Sequence, residues 1–139
     1  MGLSKIWVYA EADGDKPATS TLELLTKARE LGDAVECVFV GANAAELAGA
    51  LGEHGATKVH AIDNGDVLAG VIGGAALAKL IDADAPDLVL FAQTYDGRDA
   101  LGRLSVKLDR PALTNGVDLK VDGDKPVVGT AIFGGNTLV

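Results

Sequence analysis

The 139-residue sequence predicts a doubly wound α/β fold with a mostly parallel sheet and an antiparallel hairpin near its C-terminal end. Apolar runs typical of buried strands alternate with segments whose apolar residues recur at helical spacing. After Arg110 the alternation stops, and two extended segments, 112–121 and 126–133, flank an Asp-Gly-Asp turn at 122–124, which indicates a β-hairpin. Right-handed crossovers would place helices on both faces of the sheet, giving three layers.

The first strand is predicted over residues 6–9, and the first helix is predicted to begin at Ser20. Glu23 follows Ser20 at the spacing of a capping box, in which two side chains satisfy N–H groups at the start of a helix. Gly32 is the predicted C-terminal stop. The predicted buried face of this helix consists of Leu24, Leu25, Ala28 and Leu31.

Strands are predicted over 35–40 and 58–62, with a helix between them. Asn43 is expected to cap this helix, which buries Leu47 and Leu51 and ends at His54, before Gly55.

A third helix is predicted to begin at Asp66. It contains three glycines, each of which costs about 1 kcal/mol relative to Ala inside a helix. Close packing against the sheet would compensate for that cost. The predicted apolar face is Leu68, Val71, Ile72 and Ala75, and the glycines are Gly70, Gly73 and Gly74.

The candidate functional rim follows a strand predicted over 88–92, where a polar segment leads into a fourth helix. Open α/β sheets bind ligands or partners where strands end and helices begin. Asp96 is the predicted N-cap of this helix. Asp99 is predicted to place a favourable negative charge near the helix start and to pair with Arg98 or Arg103. Together the two carboxylates would repel a phosphate bound there. The predicted rim for a partner or ligand consists of Gln93, Thr94, Tyr95, Gly97 and Arg98.

Composition argues against several other classes of function. The net charge of −8 and the scattered Lys and Arg residues argue against nucleic-acid binding. The longest apolar segment, 67–81, is too short and too rich in glycine for membrane insertion, and the N-terminal pattern favours a cytoplasmic location. Cys37 is expected to be a buried core residue, and His54 and His60 lack the spacing of metal ligands, so we expect no metal. No catalytic constellation is predicted.

Several segments, in matching order, resemble the N-terminal domain of the alpha subunit of electron transfer flavoproteins. The match includes Gly-Arg-Asp-Ala-Leu-Gly-Arg at 97–103 and Leu-Asp-Arg-Pro at 108–111. Strand 6–11, helix 21–32 and Phe-Gly-Gly-Asn at 133–136 also correspond. The sequence departs from the family at 128–132, where a basic residue is common, and at 114–115, where Thr-Asn replaces Ser-Asp.

The resemblance implies a fold of the adenine-nucleotide hydrolase-like kind and a beta-subunit partner. It also implies that the complete protein carries electrons through FAD from flavin dehydrogenases to a downstream acceptor. Because FAD in this family is bound mainly by the C-terminal domain, the resemblance implies no cofactor in this chain alone and no flavin-binding residues to assign. The apolar end at Val139 is expected to be a cut within a longer protein.

One alternative is a stand-alone module in which the loops after Glu11 and Ala92 hold AMP or ATP. An enzyme in its own right is a third possibility, which no acid–base or nucleophile pattern supports.

Overall fold

The computed structural model describes residues 2–139. Its elements, in chain order, are β1 (Leu3–Ala10), β2 (Ala12–Asp13), β3 (Lys16–Pro17), α1 (Thr19–Leu31), β4 (Gly32–Val40), α2 (Ala44–Glu53), β5 (Lys58–Ile62), α3 (Ala69–Ala83), β6 (Leu88–Leu90), α4 (Tyr95–Leu108), β7 (Gly116–Asp122), β8 (Lys125–Ile132), a 3-10 turn (Phe133–Gly135) and β9 (Thr137–Leu138).

Within residues 2–139, four parallel strands form the central sheet in the order β5-β4-β1-β6. Val8 of β1 pairs with Cys37 on one side and with Leu90 on the other. The residues of β1 from Ile6 to Tyr9 are at most 1% exposed, because layers cover both faces of the strand. The predicted parallel sheet is therefore confirmed.

Two hydrophobic cores lie on opposite faces of this sheet. On one face, Leu25 of α1 and Leu51 of α2 pack against apolar residues of β1 and β4. On the other face, Trp7 and Tyr9 pack with Leu77 of α3 and residues of α4. The predicted three-layer arrangement, with helices on both faces, is confirmed.

The predicted hairpin is also confirmed, because β7 and β8 pair antiparallel around a turn in which Gly123 has a φ of +68°. β9 pairs with the far side of β8. Polar and apolar contacts attach this small sheet to the main body. Lys27 Nζ lies 3.7 Å from an Asp118 carboxylate oxygen, the Gln93 side chain donates to the Gly116 carbonyl at 3.3 Å, and Val121 packs against the core that contains Leu25. Within the described residues, no helix has the length and apolarity needed to cross a membrane.

The capping box predicted at Ser20 is wrong, because α1 begins at Thr19 and Ala18 takes the N-cap position. Neighbouring residues hold the start of this helix instead. The Ala18 backbone N–H donates to the Glu11 carbonyl at 2.9 Å, and the Glu11 N–H donates to the Thr21 hydroxyl at 2.9 Å. The helix start is thus hydrogen-bonded directly to the end of β1.

Both ends of α2 differ slightly from the prediction. Asn43 does precede the helix, but its side chain donates to the Gly14 carbonyl at 3.4 Å rather than capping α2. Leu47 and Leu51 are each 1% exposed, as predicted. α2 ends at Glu53, one residue before the predicted end.

The predicted apolar face of α3 is only partly correct, because Ile72 packs against the core but the fully buried positions are others. The helix begins at Ala69 rather than Asp66, and Leu68 is 73% exposed. Its buried residues are Gly70, Gly73, Gly74 and Leu77.

The glycines of α3 face the sheet only in part. A Cβ at Gly73 would lie 2.9 Å from the Tyr9 hydroxyl of β1, so this position does pack against the sheet. A Cβ at Gly74 would lie 2.5 Å from the Arg103 Cβ, and one at Gly70 would lie 3.1 Å from the Asp96 carbonyl oxygen. Gly70 and Gly74 therefore allow α3 to pack closely against α4, because a side chain at either position would push the two helices apart.

Candidate functional site

The strand order places a topological switch point between β1 and β6. From β1 the chain passes through α1 to β4 on one side, whereas from β5 it passes through α3 to β6 on the other side of β1. Beyond the C-terminal ends of such neighbouring strands, an open α/β sheet has a crevice suited to ligands or partners. Glu11 follows β1 here, and Gln93 and Thr94 follow β6.

Thr94 connects the two strand ends. Its hydroxyl accepts the Gly97 backbone N–H at 2.9 Å and so caps α4. The same hydroxyl lies 2.8 Å from each Glu11 carboxylate oxygen and donates to that carboxylate. Asp96, predicted as the cap, lies instead in the first turn of α4. A threonine hydroxyl fits the position because it can accept from the helix and donate to the acid at once.

The electrostatic environment of the crevice is acidic. Burial is the main cause that raises the pKa of the Glu11 carboxyl; Asp96 raises it further, while the hydrogen bond from Thr94 opposes the shift. Burial also raises the pKa of the Tyr9 phenol, with Asp96, Glu11 and Asp99 adding to the effect. A phosphate placed here would meet several carboxylates, so the arrangement is poorly suited to an anionic ligand.

The five residues of the predicted rim separate into two groups. Thr94 and Gly97 build the turn: a Cβ at Gly97 would lie 2.3 Å from the Ala92 carbonyl oxygen, so only glycine fits. The other three lie outward, with Tyr95 94% exposed and Gln93 and Arg98 exposed.

The arginines near the start of α4 were predicted to pair with Asp99, and one does. Arg103 Nε donates to an Asp99 carboxylate oxygen at 2.7 Å. Arg98 lies outside the ion pairs that residues 2–139 form.

A cleft of about 1550 Å³ lies beside the edge strand β6. It is bounded by α1, α4 and the segment leading into β7, and Gln93 and Arg98 belong to its lining. Apolar residues of β6 and α4, such as Leu88 and Leu104, form much of the rest. The predicted rim thus faces both the crevice at the switch point and this open cleft.

Sequence reasoning missed a second polar cluster, at the opposite edge of the sheet. Ligand atoms of Glu36, His60 and Asp84 all lie within 4.8 Å of one another, and His60 Nε2 is 2.6 Å from a Glu36 carboxylate oxygen. Lys5 donates to Asp84, lowering the pKa of that carboxyl, and its Nζ lies 3.8 Å from Glu36. The lysine ammonium thus already supplies the positive charge that a metal would bring. Spacing along the chain could not reveal this group, because its members come from separate elements.

The sheet order, the helices on both faces and the crevice between β1 and β6 define a doubly wound α/β domain. Residues 6–139 match the family described as Electron transfer flavoprotein domain, and the chain belongs to that family. The family resemblance inferred from the sequence is therefore confirmed.

The chain is similar to curated relatives named Electron transfer flavoprotein subunit alpha. The relative from Syntrophomonas wolfei is 33% identical over 135 residues, which is 95% of this chain and 42% of the relative. The one from Thermoanaerobacterium thermosaccharolyticum is 29% identical, over 96% of this chain and 42% of the relative. A Mycobacterium tuberculosis relative is 38% identical over 117 residues, 81% of this chain and 36% of its own length. The chain thus spans less than half the length of these relatives.

Proposed function

We propose that this chain serves as the N-terminal domain of an electron transfer flavoprotein alpha subunit, with the FAD-binding domain lying outside the 139 residues. The observation that carries the proposal is the family match over residues 6–139, together with relatives named as alpha subunits. Its role would be to hold a beta subunit as a scaffold, within a protein that carries electrons rather than catalysing bond chemistry. Flavin dehydrogenases would be the electron donors, and a cytoplasmic location stays a prediction.

FAD and free nucleotides fit this chain's own crevice poorly. When bound, FAD supplies the redox chemistry of the complete protein. Its diphosphate, like the phosphate groups of AMP or ATP bound in the alternative module, needs N–H donors and positive charge. At the switch point the Glu11 carboxylate already accepts from Thr94 next to the start of α4, and Asp96 adds a second negative charge. The crevice therefore supports a scaffold more than a nucleotide-binding module.

The proposal is tested by measuring association of this chain with the beta subunit from the same organism. Sedimentation velocity should find a one-to-one complex, and Tyr95→Ala should weaken it because Tyr95 is 94% exposed at the rim. Val106→Ala is the matched control, because Val106 is 82% exposed elsewhere on α4. No complex with the wild-type chain, or tight binding of ATP in calorimetry, would contradict the proposal and favour the nucleotide-binding module.

A further inference from the structure

Negative charge is concentrated at the C-terminal edge of the parallel sheet. The segments that leave the four strands there, 11–18, 41–46, 63–68 and 91–98, carry seven carboxylates but only two cationic side chains, Lys16 and Arg98. We call these four segments the acidic edge. Its carboxylates are Glu11, Asp13, Asp15, Glu46, Asp63, Asp66 and Asp96.

None of these seven carboxylates belongs to an ion pair among residues 2–139. The ion pairs of the described chain lie elsewhere, such as Arg103 with Asp99 on α4 and Lys5 with Glu36 at the opposite edge. Most carboxylates of the acidic edge are exposed, and Glu11 is half-buried. Negative charge without cationic partners is favourable at a surface that meets positive charge on another molecule.

Exposed apolar side chains lie among these carboxylates. Leu68 is 73% exposed and Val67 is 45% exposed, just before α3, while Tyr95 is 94% exposed at the start of α4. The two helix starts are in contact, since a Cβ at Gly70 would lie 3.1 Å from the Asp96 carbonyl oxygen. An apolar centre surrounded by charge is the usual organisation of a protein interface, and an exposed tyrosine on a rigid element is a typical anchor.

We propose that the acidic edge is the surface that docks the beta subunit, and that the docking face of that subunit presents Lys and Arg side chains around an apolar socket for Tyr95 and Leu68. This inference rests on the proposed function and adds the location and the charge of the interface. Complementary charges accelerate association and orient the partners. The same negative field repels phosphate ligands from the crevice.

The test measures the association rate with purified beta subunit by stopped-flow, at about 50 mM and about 500 mM NaCl. The wild-type rate should fall on the order of tenfold with added salt, because exposed charges are screened. Asp66→Lys and Asp96→Lys should each slow association several-fold at low salt. Asp33→Lys is the matched control, because Asp33 is exposed at the opposite edge of the sheet. This variant should associate at the wild-type rate.

Two results would overturn the inference, and they are distinguishable. If the wild-type chain binds the beta subunit but neither salt nor the two charge reversals changes the rate relative to Asp33→Lys, the interface lies elsewhere and the proposed function stands. If the wild-type chain does not bind at all, the proposed function fails as well. Circular dichroism verifies folding of each variant, and Asp66→Lys, in a loop outside α3, keeps the test available if Asp96→Lys disturbs α4.

Discussion

At the scale of single residues, the Thr94 hydroxyl ties a helix cap to a half-buried acid. It accepts from Gly97 and donates to Glu11, so β1 and α4 are joined at the switch point through one oxygen atom. The acid gains a hydrogen bond there, but it loses solvation and lies near Asp96. The net effect raises the pKa of the Glu11 carboxyl above its ordinary value.

This raised pKa predicts how stability depends on pH. The folded state favours the protonated form of Glu11. The stability that this protonation adds is therefore fully present below the pKa that Glu11 has in the unfolded chain, and it is lost as the pH rises through the higher pKa that Glu11 has in the folded state. The free energy of unfolding of the wild type, relative to Glu11→Gln, should therefore fall as the pH rises above the ordinary pKa of a glutamate, about 4.3. Urea titrations at several pH values measure it, with Glu53→Gln, at the exposed end of α2, as the control. A difference that rises with pH would contradict the prediction.

We expect the Cys37 thiol to react slowly in the folded state. The side chain is 0% exposed in the centre of β4, and burial raises the pKa of its thiol to about 12. Since the thiolate is the reactive form, iodoacetamide should modify the native chain only after unfolding. Mass spectrometry with and without urea measures the modification. Rapid, stoichiometric labelling of the native chain at neutral pH would contradict the buried placement of this residue.

At the scale of elements, the contact between α3 and α4 depends on glycine. In an open helix position Gly→Ala stabilises by up to about 1 kcal/mol. Gly74→Ala should instead destabilise by about 1–3 kcal/mol, because the new Cβ would lie 2.5 Å from the Arg103 Cβ and the helices would have to separate. Gly49→Ala on α2, where a Cβ meets nothing within 4 Å, is the control and should stabilise. Thermal unfolding of both variants decides, and stabilisation by Gly74→Ala would disprove the close contact.

Strands were easier to predict than helix ends and helix faces. The runs 35–40 and 58–62 identify parallel strands by themselves, and the hairpin turn needs only its Gly123. The first run is buried along its whole length, whereas the second forms the edge strand β5 and is half-buried or exposed. The start of α1 depends on hydrogen bonds to Glu11, which lies nine residues before Ser20, the predicted start of this helix. The buried face of α3 depends on α4, a later element. A local pattern contains neither partner, so capping residues and apolar spacing gave the wrong answer there.

At the scale of the whole molecule, the candidate site was predictable only in outline. The end of β6 and the start of α4 are recognisable in the sequence, which placed the rim at residues 93–98. The part played by Glu11 was not, because it lies 83 residues from Thr94 and meets it only when β6 pairs beside β1. The acidic edge likewise forms only when four parallel strands align, since its charges are dispersed along the chain.

The two sheets should differ in local stability. Residues Ile6–Tyr9 of β1 are at most 1% exposed, whereas most of β7 and β8 is half-buried or exposed, attached through contacts such as Lys27 with Asp118 and Gln93 with Gly116. We expect β1 amides to exchange hydrogen only on global unfolding and β7–β8 amides to exchange on the order of 100-fold faster, through local opening.

Native-state hydrogen exchange followed by NMR, at low concentrations of urea, measures both rates on the same sample. The opening free energies measured for the β1 amides should approach the free energy of global unfolding and should fall steeply with urea, because the opening that allows their exchange exposes the whole core. The β7–β8 amides should respond weakly. Equal protection and equal urea dependence would contradict the prediction, since the hairpin would then unfold only together with the parallel sheet. In that case the Lys27 and Gln93 contacts would hold the two sheets as one cooperative unit.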